Sequence, residues 1–221
     1  VRFIALRIET DMYGQKVAIL SRRIAQEQCR SQYINSLMAG DIIEARVTHL
    51  EQFGCFVDIG CGISSLIPID AISVSRISHP ADRFAVGDMI KAVVKSNIDG
   101  RICLTHKELL GTWEENAAQF EVGETVSGIV RSVEDYGVFV ELAPNLAGLA
   151  ELRHDIRTGE SVSVYIKSLI PEKMKIKLII VDVCEKYQNT SKLKYYMNDE
   201  HIDEWRYTPE GSAKVIETVF R

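Results

Sequence analysis

Apolar and polar positions alternate in two blocks of this chain, and the blocks match. In the first, Cys55, Val57 and Ile59 alternate with Phe56 and Asp58; in the second, Val138, Val140 and Leu142 alternate with Phe139 and Glu141. A period of two marks a strand with one buried face. The pattern turns the Cys55 and Val138 sets inward. It turns Phe56 and Phe139 outward, and an exposed ring on a strand asks for a reason. Gly54 and Gly137 stand just before each alternation. A glycine there marks a bulge or a close backbone approach, and a bulge brings Phe53 and Tyr136 onto the same outer face. Each block then presents an aromatic pair.

The match extends well beyond the strands. Gly40 recurs at Gly123, Phe56 at Phe139 and Leu66 at Leu149, in each case 83 residues on. Self-similarity at a fixed offset is the mark of a duplicated domain. Glu44–Val47 and Ser127–Val130 open the two units as first strands. Gly87-Asp88 leads into the strand Ile90–Val94, and Gly159-Glu160 into Val162–Ile166, now only 72 residues apart. The first unit is therefore longer by a stretch between Ala71 and Ala85, which reads as an extended surface loop carrying Arg76, His79 and Arg83. Asn97 to Arg101 is a turn signal, and Ile102–Leu104 closes the unit. Five short strands per unit with glycine-marked turns fit a small closed barrel such as the OB-fold.

Between the units, Leu109, Leu110, Trp113 and Ala117 recur at helical spacing, so 107–119 is expected to be a helical linker with Trp113 stapling it to a barrel. Residues 24–37 are its equivalent before the first unit. Residues 1–23 look like the last two strands of a truncated third copy. A lone hairpin is marginally stable, so it is expected to fray or to pack on a neighbour. In the tail, 194–197 and 201–205 suggest a hairpin about Asn198-Asp199. Thr208-Pro209 reads as a helix start, with Val215, Ile216, Val219 and Phe220 on the apolar side. The expected organisation is mainly β: barrels at 38–106 and 120–184 joined by short α-helical linkers, with a small α+β extension over 185–221.

Composition narrows the chemistry. The 221 residues hold 26 Lys and Arg against 31 Asp and Glu, a net charge of −5, which argues against a tight non-specific grip on phosphates. The five cysteines have no Cys-x-x-Cys spacing, so a zinc site and a disulfide framework are not expected, and reduced thiols point to a cytoplasmic protein. No apolar run approaches a membrane span. The chain opens at Val1 without a signal peptide and reads as a piece of a longer product. No Gly-rich phosphate loop, zinc-protease helix or nucleophile elbow is present. His49 and Cys55 are close, but Cys55 is expected in the core. The expectation is a non-catalytic protein without cofactor or metal.

The order Gly-Asp at 40–41, Phe-Gly-Cys-Phe-Val-Asp at 53–58, Leu-Ile-Pro-Ile at 66–69 and Gly-Arg-Ile-Cys-Leu-Thr at 100–105 resembles the S1 RNA-binding domain family. The resemblance covers about 38–106 and 120–183, plus the fragment at 1–23. As a tandem array it is most similar to the S1-type ribosomal proteins of clostridial bacteria. It implies five-stranded OB-folds that hold RNA on two strand-two aromatics, a strand-three His, and an Asp and Arg around the last hairpin. Carried over, the aromatics are Phe53 and Phe56, then Tyr136 and Phe139. The His position falls at Pro68 and at Glu151, both departures. The Asp position falls near Asn97 and near Pro171. The Arg position falls at Arg101 and at Lys175. The first unit retains more of the pattern.

Aromatic pairs of this kind stack bases, and Arg101, Lys95 and Arg46 are placed to meet phosphates. Two function classes remain open. One is single-stranded RNA binding that holds mRNA at the small ribosomal subunit, with weak sites in series gaining avidity. The other is a protein-interaction scaffold docking to the ribosome or an RNA-decay partner. An accessory role to a catalytic part elsewhere also stays open. Neither a membrane nor a small-molecule substrate is expected as partner.

Overall fold

The computed structural model describes residues 2–184, 193–197 and 199–221. An antiparallel hairpin, β1 (Ile4–Thr10) and β2 (Lys16–Ser21), leads into α1 (Arg22–Gln32), which Ser21 caps by accepting the Ile24 N–H. The first barrel follows as β3 (Ile42–Glu51), β4 (Gly54–Asp58), β5 (Ser64–Pro68), β6 (Met89–Ile98) and β7 (Arg101–Thr105). Next come α2 (Trp113–Ala117) and the second barrel: β8 (Thr125–Glu134), β9 (Gly137–Ala143), β10 (Leu146–Ala150), β11 (Ser161–Ile170) and β12 (Lys175–Cys184). The tail carries β13 (Glu204–Arg206) and β14 (Glu217–Val219).

Both barrels are closed, with ladder orders β3-β4-β5-β7-β6 and β8-β9-β10-β12-β11. In each, the third strand runs parallel to the fifth and the remaining pairs are antiparallel. This is the OB-fold topology, twice. The inward sets behave as the alternation requires: Cys55, Val57, Val138 and Val140 are fully buried. Burial pushes the Cys55 thiol up to about 12, which leaves it protonated and unreactive.

Four expectations about the strand ends, loops, linker and tail fail, each for a physical reason. Glu141 is buried and Leu142 only partly so, reversing the end of β9. Arg83 and Arg131 neutralise Glu141, so the ladder admits a carboxylate where an apolar residue was expected. The stretch from Ala71 to Ala85 is not a free surface loop, because it buries Ile72, Ile77 and Phe84 and lies against the second barrel. The linker helix over 107–119 breaks at Gly111, whose φ of +80° a continuous helix cannot hold. A short 3₁₀ turn (Lys107–Leu110) precedes α2, whose capping box is Thr112 with Glu115.

The tail is the fourth. Asn198, the predicted hairpin apex, lies outside the described residues, and 194–197 forms no strand. No helix starts at Thr208. Its hydroxyl accepts the Ile216 N–H, at 2.7 Å, and so closes a loop between β13 and β14. Gly211 and Ser212 would weaken a helix there in any case. The tail instead straps the molecule together. Ile202, Trp205, Tyr207 and Phe220 are buried in one cluster with Trp113 and the second-barrel core. Ile42 N–H donates to the Glu200 carbonyl and Ile202 N–H to the Gly40 carbonyl, fixing the tail along the start of β3.

A second pin is Asn145, in the β9–β10 turn. Its Oδ1 accepts the Val74 N–H, its Nδ2 donates to the Lys107 and Gly111 carbonyls, and its own carbonyl accepts from the Tyr207 hydroxyl. One buried side chain thus ties together the first-barrel loop, the linker and the second barrel. The N-terminal hairpin, in contrast, keeps most of its side chains exposed. Its first residues, Arg2 to Ile4, lie beside Ala25 and Cys29 of α1.

Candidate nucleic-acid interface

The ring pairs stand on the outer faces of the barrels. Phe53, in the β3–β4 turn, is 56% exposed, and Tyr136, in the β8–β9 turn, is 68% exposed. Their strand partners Phe56 and Phe139 are half-buried. In the first barrel the ring centroids are 6.0 Å apart at 89°; in the second, 6.1 Å apart at 88°. Edge-to-face packing holds each pair without hiding its outer surface.

The glycines make this possible, but not by bulging. Gly54 and Gly137 sit in regular register, opposite Glu51 and Glu134. The bulges lie on the neighbouring strand, between Val47 and His49 and between Val130 and Ser132. A Cβ on Gly54 would stand 2.5 Å from the Ile67 carbonyl oxygen and 3.0 Å from Leu66 Cδ1. Gly137 meets the Ala150 carbonyl and Leu149 in the same way. Bare backbone therefore lets the third strand come close and lets a leucine lie at the foot of each ring pair.

The basic residues divide unevenly. A β-bulge turns out Lys95 on β6 and, at the equivalent place, Lys167 on β11. Arg101 and Lys175 begin the last strands at matching register, opposite Ile98 and Ile170. The next outward position is Cys103 in the first barrel and Lys177 in the second, facing Leu66 and Leu149 respectively. A groove of about 580 Å³ in the second barrel brings Tyr136 and Phe139 together with Lys167, Lys175 and Lys177. Among the described residues, none of the three lysines is in an ion pair. Glu151, at the expected His position, also lines the groove.

The first barrel is arranged differently. His49, on β3, lies 6.5 Å from the Phe56 centroid and extends the ring row on the opposite side from Pro68. Its Nε2 is 2.7 Å from Glu51 Oε1. Asn97 is not free to meet a ligand: its Nδ2 donates to the Ile34 and Leu37 carbonyls at 3.0 and 2.9 Å, fastening the first linker to β6. Arg46 is exposed on β3 but stands opposite Asp58. Arg101 and Lys95 are exposed. Pro171, the second unit's counterpart of the Asp position, starts a 3₁₀ turn and carries no acceptor side chain.

The ring pairs, Arg101, Lys175 and Lys95, all expected from the sequence, lie on these outer faces, and Lys167, Lys177 and His49, which the sequence did not single out as ligands, lie beside them. The lysines carry a signal only once the register is known, because Lys177 reaches Leu149 through a parallel, non-local pairing. Among the described residues, no group of His, Cys, Asp and Glu could hold a metal ion, and no helix is long and apolar enough to cross a membrane.

Comparison with known proteins agrees with this geometry. The family model described as S1 RNA binding domain matches residues 36–105, the first barrel. The protein named small ribosomal subunit protein bS1 from Staphylococcus aureus (strain COL) is 31% identical over 219 residues, covering 88% of this chain and 55% of that protein. The protein of the same name from Leuconostoc lactis is 29% identical over 196 residues, covering 81% of this chain and 46% of that one. The chain thus spans about half the length of the curated relatives it matches. Among solved structures, a multidomain protein with nucleic acid binding domains from Streptococcus pneumoniae TIGR4 is 16% identical over 82% of this chain and 61% of its own, at a TM-score of 0.31, too distant to add to the argument. Motif order, closed five-stranded topology and the match at 36–105 therefore agree that the first barrel is similar to the S1 RNA binding domain, and the second barrel repeats its strand order.

Proposed function

We propose that this chain is a non-catalytic single-strand RNA-binding segment, and that its principal contact is the Tyr136/Phe139 face of the second barrel. The observation that carries this reading is the groove in which that ring pair meets Lys167, Lys175 and Lys177. Stacking supplies about 1–3 kcal/mol per base and accepts any base. Each phosphate neutralised on a single strand adds about 0.7 to the salt slope, so three lysines supply a slope of about 2. A face of this kind grips RNA without reading its sequence. The first barrel, with Phe53, Phe56, His49 and Arg101, adds a second and weaker contact in series, which gains by effective concentration.

The role we propose is to hold mRNA at the small ribosomal subunit during translation, in the cytoplasm. Its support is the likeness to proteins named small ribosomal subunit protein bS1. The test is oligo-uridylate binding across a salt series. Replacing Lys167, Lys175 and Lys177 by Gln is expected to flatten the salt slope by about 2. An unchanged slope would rule this face out.

A second reading, docking to a protein of the ribosome or of RNA decay, is favoured by Pro68 in the first barrel and by the commitment of Asn97 to linker carbonyls. Stable binding to ribosomes stripped of mRNA, without any oligonucleotide binding, would select it.

A further inference from the structure

Between the two barrels runs a groove of about 650 Å³. One wall is Gln52 and Ile69 of the first barrel, and the other is Ser132 and Glu134 of β8. Residues Ser73 to Ser78 form its floor. Each wall adjoins one of the ring pairs. Gln52 is bonded to Phe53, and the Ile69 N–H donates to the Phe53 carbonyl at 3.0 Å. On the far wall, Ser132 pairs across the ladder with Phe139, and Glu134 precedes the turn that carries Tyr136.

The floor has a polar group with nothing to bond. Ser75 is 7% exposed, lines the groove, and its hydroxyl has no hydrogen-bond partner. A buried hydroxyl left unpaired is destabilising, so it asks for a ligand. The neighbouring Ser73 and Ser78 hydroxyls are already used, on the Ser75 carbonyl and on Asp82. Beside Ser75, Arg76 is exposed and, among the described residues, in no ion pair. Arg131 is also present but is held by Glu141 and Asp82. Asp70 and Glu134 supply the negative groups of the groove.

From this we infer that the inter-barrel groove is a third contact for single-stranded RNA, carrying one strand directly from the Phe53/Phe56 face to the Tyr136/Phe139 face. Ser75 Oγ meets a ribose hydroxyl or a base edge. Arg76 takes the phosphate, and Asp70 with Glu134 keep the rest of the backbone away from the opposite side. The groove is a fixed track, because the Arg83–Glu141–Arg131 cluster, Asn145 and the tail hold the barrels in one arrangement. The inference rests on the RNA-binding reading above and adds to it a continuous path in place of two tethered sites.

The experiment compares oligo-uridylates of two lengths by fluorescence anisotropy on the whole chain. A short one of about 4 nucleotides fits a single barrel, and a long one of about 30 exceeds the roughly 16 that one barrel holds. Arg76→Glu, at a solvent-exposed position, and Ser75→Ala are each expected to weaken the long oligonucleotide about ten-fold and to leave the short one unchanged. If the long oligonucleotide binds both variants as it binds the parent, the groove is not on the path and the inference falls, while the ring-face reading stands. If the parent binds neither length, the RNA-binding reading fails and takes the groove with it.

Discussion

Arg83, from the long loop of the first barrel, donates to Glu141 on β9 of the second at 2.6 Å, and both side chains are 3% exposed. Glu141 is shared with Arg131, whose Nε lies 2.8 Å away, and Arg131 also reaches Asp82 at 3.1 Å. A carboxylate between two guanidiniums is neutralised where water cannot reach it. The cluster makes one body of two barrels that the repeat alone would leave as beads on a linker. Removing one member of a buried pair strands the other charge, at a cost of about 3–5 kcal/mol. Arg83→Ala is therefore expected to lose that much by urea unfolding, and to unfold in two transitions where the parent is expected to show one.

His106 gives the fold a pH dependence. It is fully buried, with Nδ1 at 2.9 Å from the Ile72 carbonyl and Nε2 at 3.3 Å from the Tyr195 hydroxyl. Burial, with the Arg83 charge nearby, pushes its imidazole down to about 4. Unfolded, it titrates near 6.5. The unfolded chain thus binds the proton first, and stability falls as pH drops from about 6.5 to about 4, then levels off. The loss is about 1.4 kcal/mol per pH unit at most. The check is the difference in unfolding free energy between the parent and His106→Gln, measured from pH 7 to pH 4; it is expected to shrink steadily on acidification.

Asn97 separates a structural role from a binding one. Asn97→Ala strips the Ile34 and Leu37 carbonyls of their donor. Two such bonds are worth about 1–3 kcal/mol together. Thermal unfolding is expected to move by that amount, while oligo-uridylate affinity at a temperature where both proteins are folded stays within two-fold, roughly RT ln 2.

Gly137→Ala tests why the rings are held as they are. A methyl group there overlaps the Ala150 carbonyl and pushes on Leu149, at a backbone φ of +150°. Overpacking of this kind costs about 1–3 kcal/mol. RNA affinity is expected to fall as well, because Leu149 of β10 stands opposite Phe139 and its displacement disturbs the Tyr136/Phe139 pair, with an accompanying near-ultraviolet dichroism change.

The parts legible beforehand were the local ones. The separation of 83 residues between Phe56 and Phe139 showed two units, and the alternation about Cys55 and Val138 showed which side was core. What stayed hidden depends on contacts between distant residues. Glu141 reads as an outward polar residue until Arg83, 58 positions earlier, is brought against it. Lys177 reads as one more surface lysine until β12 is laid parallel to β10. The tail carries helical spacing at Val215, Ile216 and Val219. Its aromatic residues are nonetheless drawn into the seam between the barrels, where Trp205 and Tyr207 are almost fully buried. That burial outweighs a weak local propensity.

The sharpest test is the affinity of a long oligo-uridylate for two double variants compared side by side, Tyr136→Ala with Phe139→Ala and Phe53→Ala with Phe56→Ala. Loss of two stacked bases is worth about 2–6 kcal/mol. We expect at least a thirty-fold weakening, roughly 2 kcal/mol, for the Tyr136/Phe139 variant, and a smaller loss for the Phe53/Phe56 variant. Unchanged affinity in the folded Tyr136/Phe139 variant would contradict the assignment of the second-barrel face to RNA.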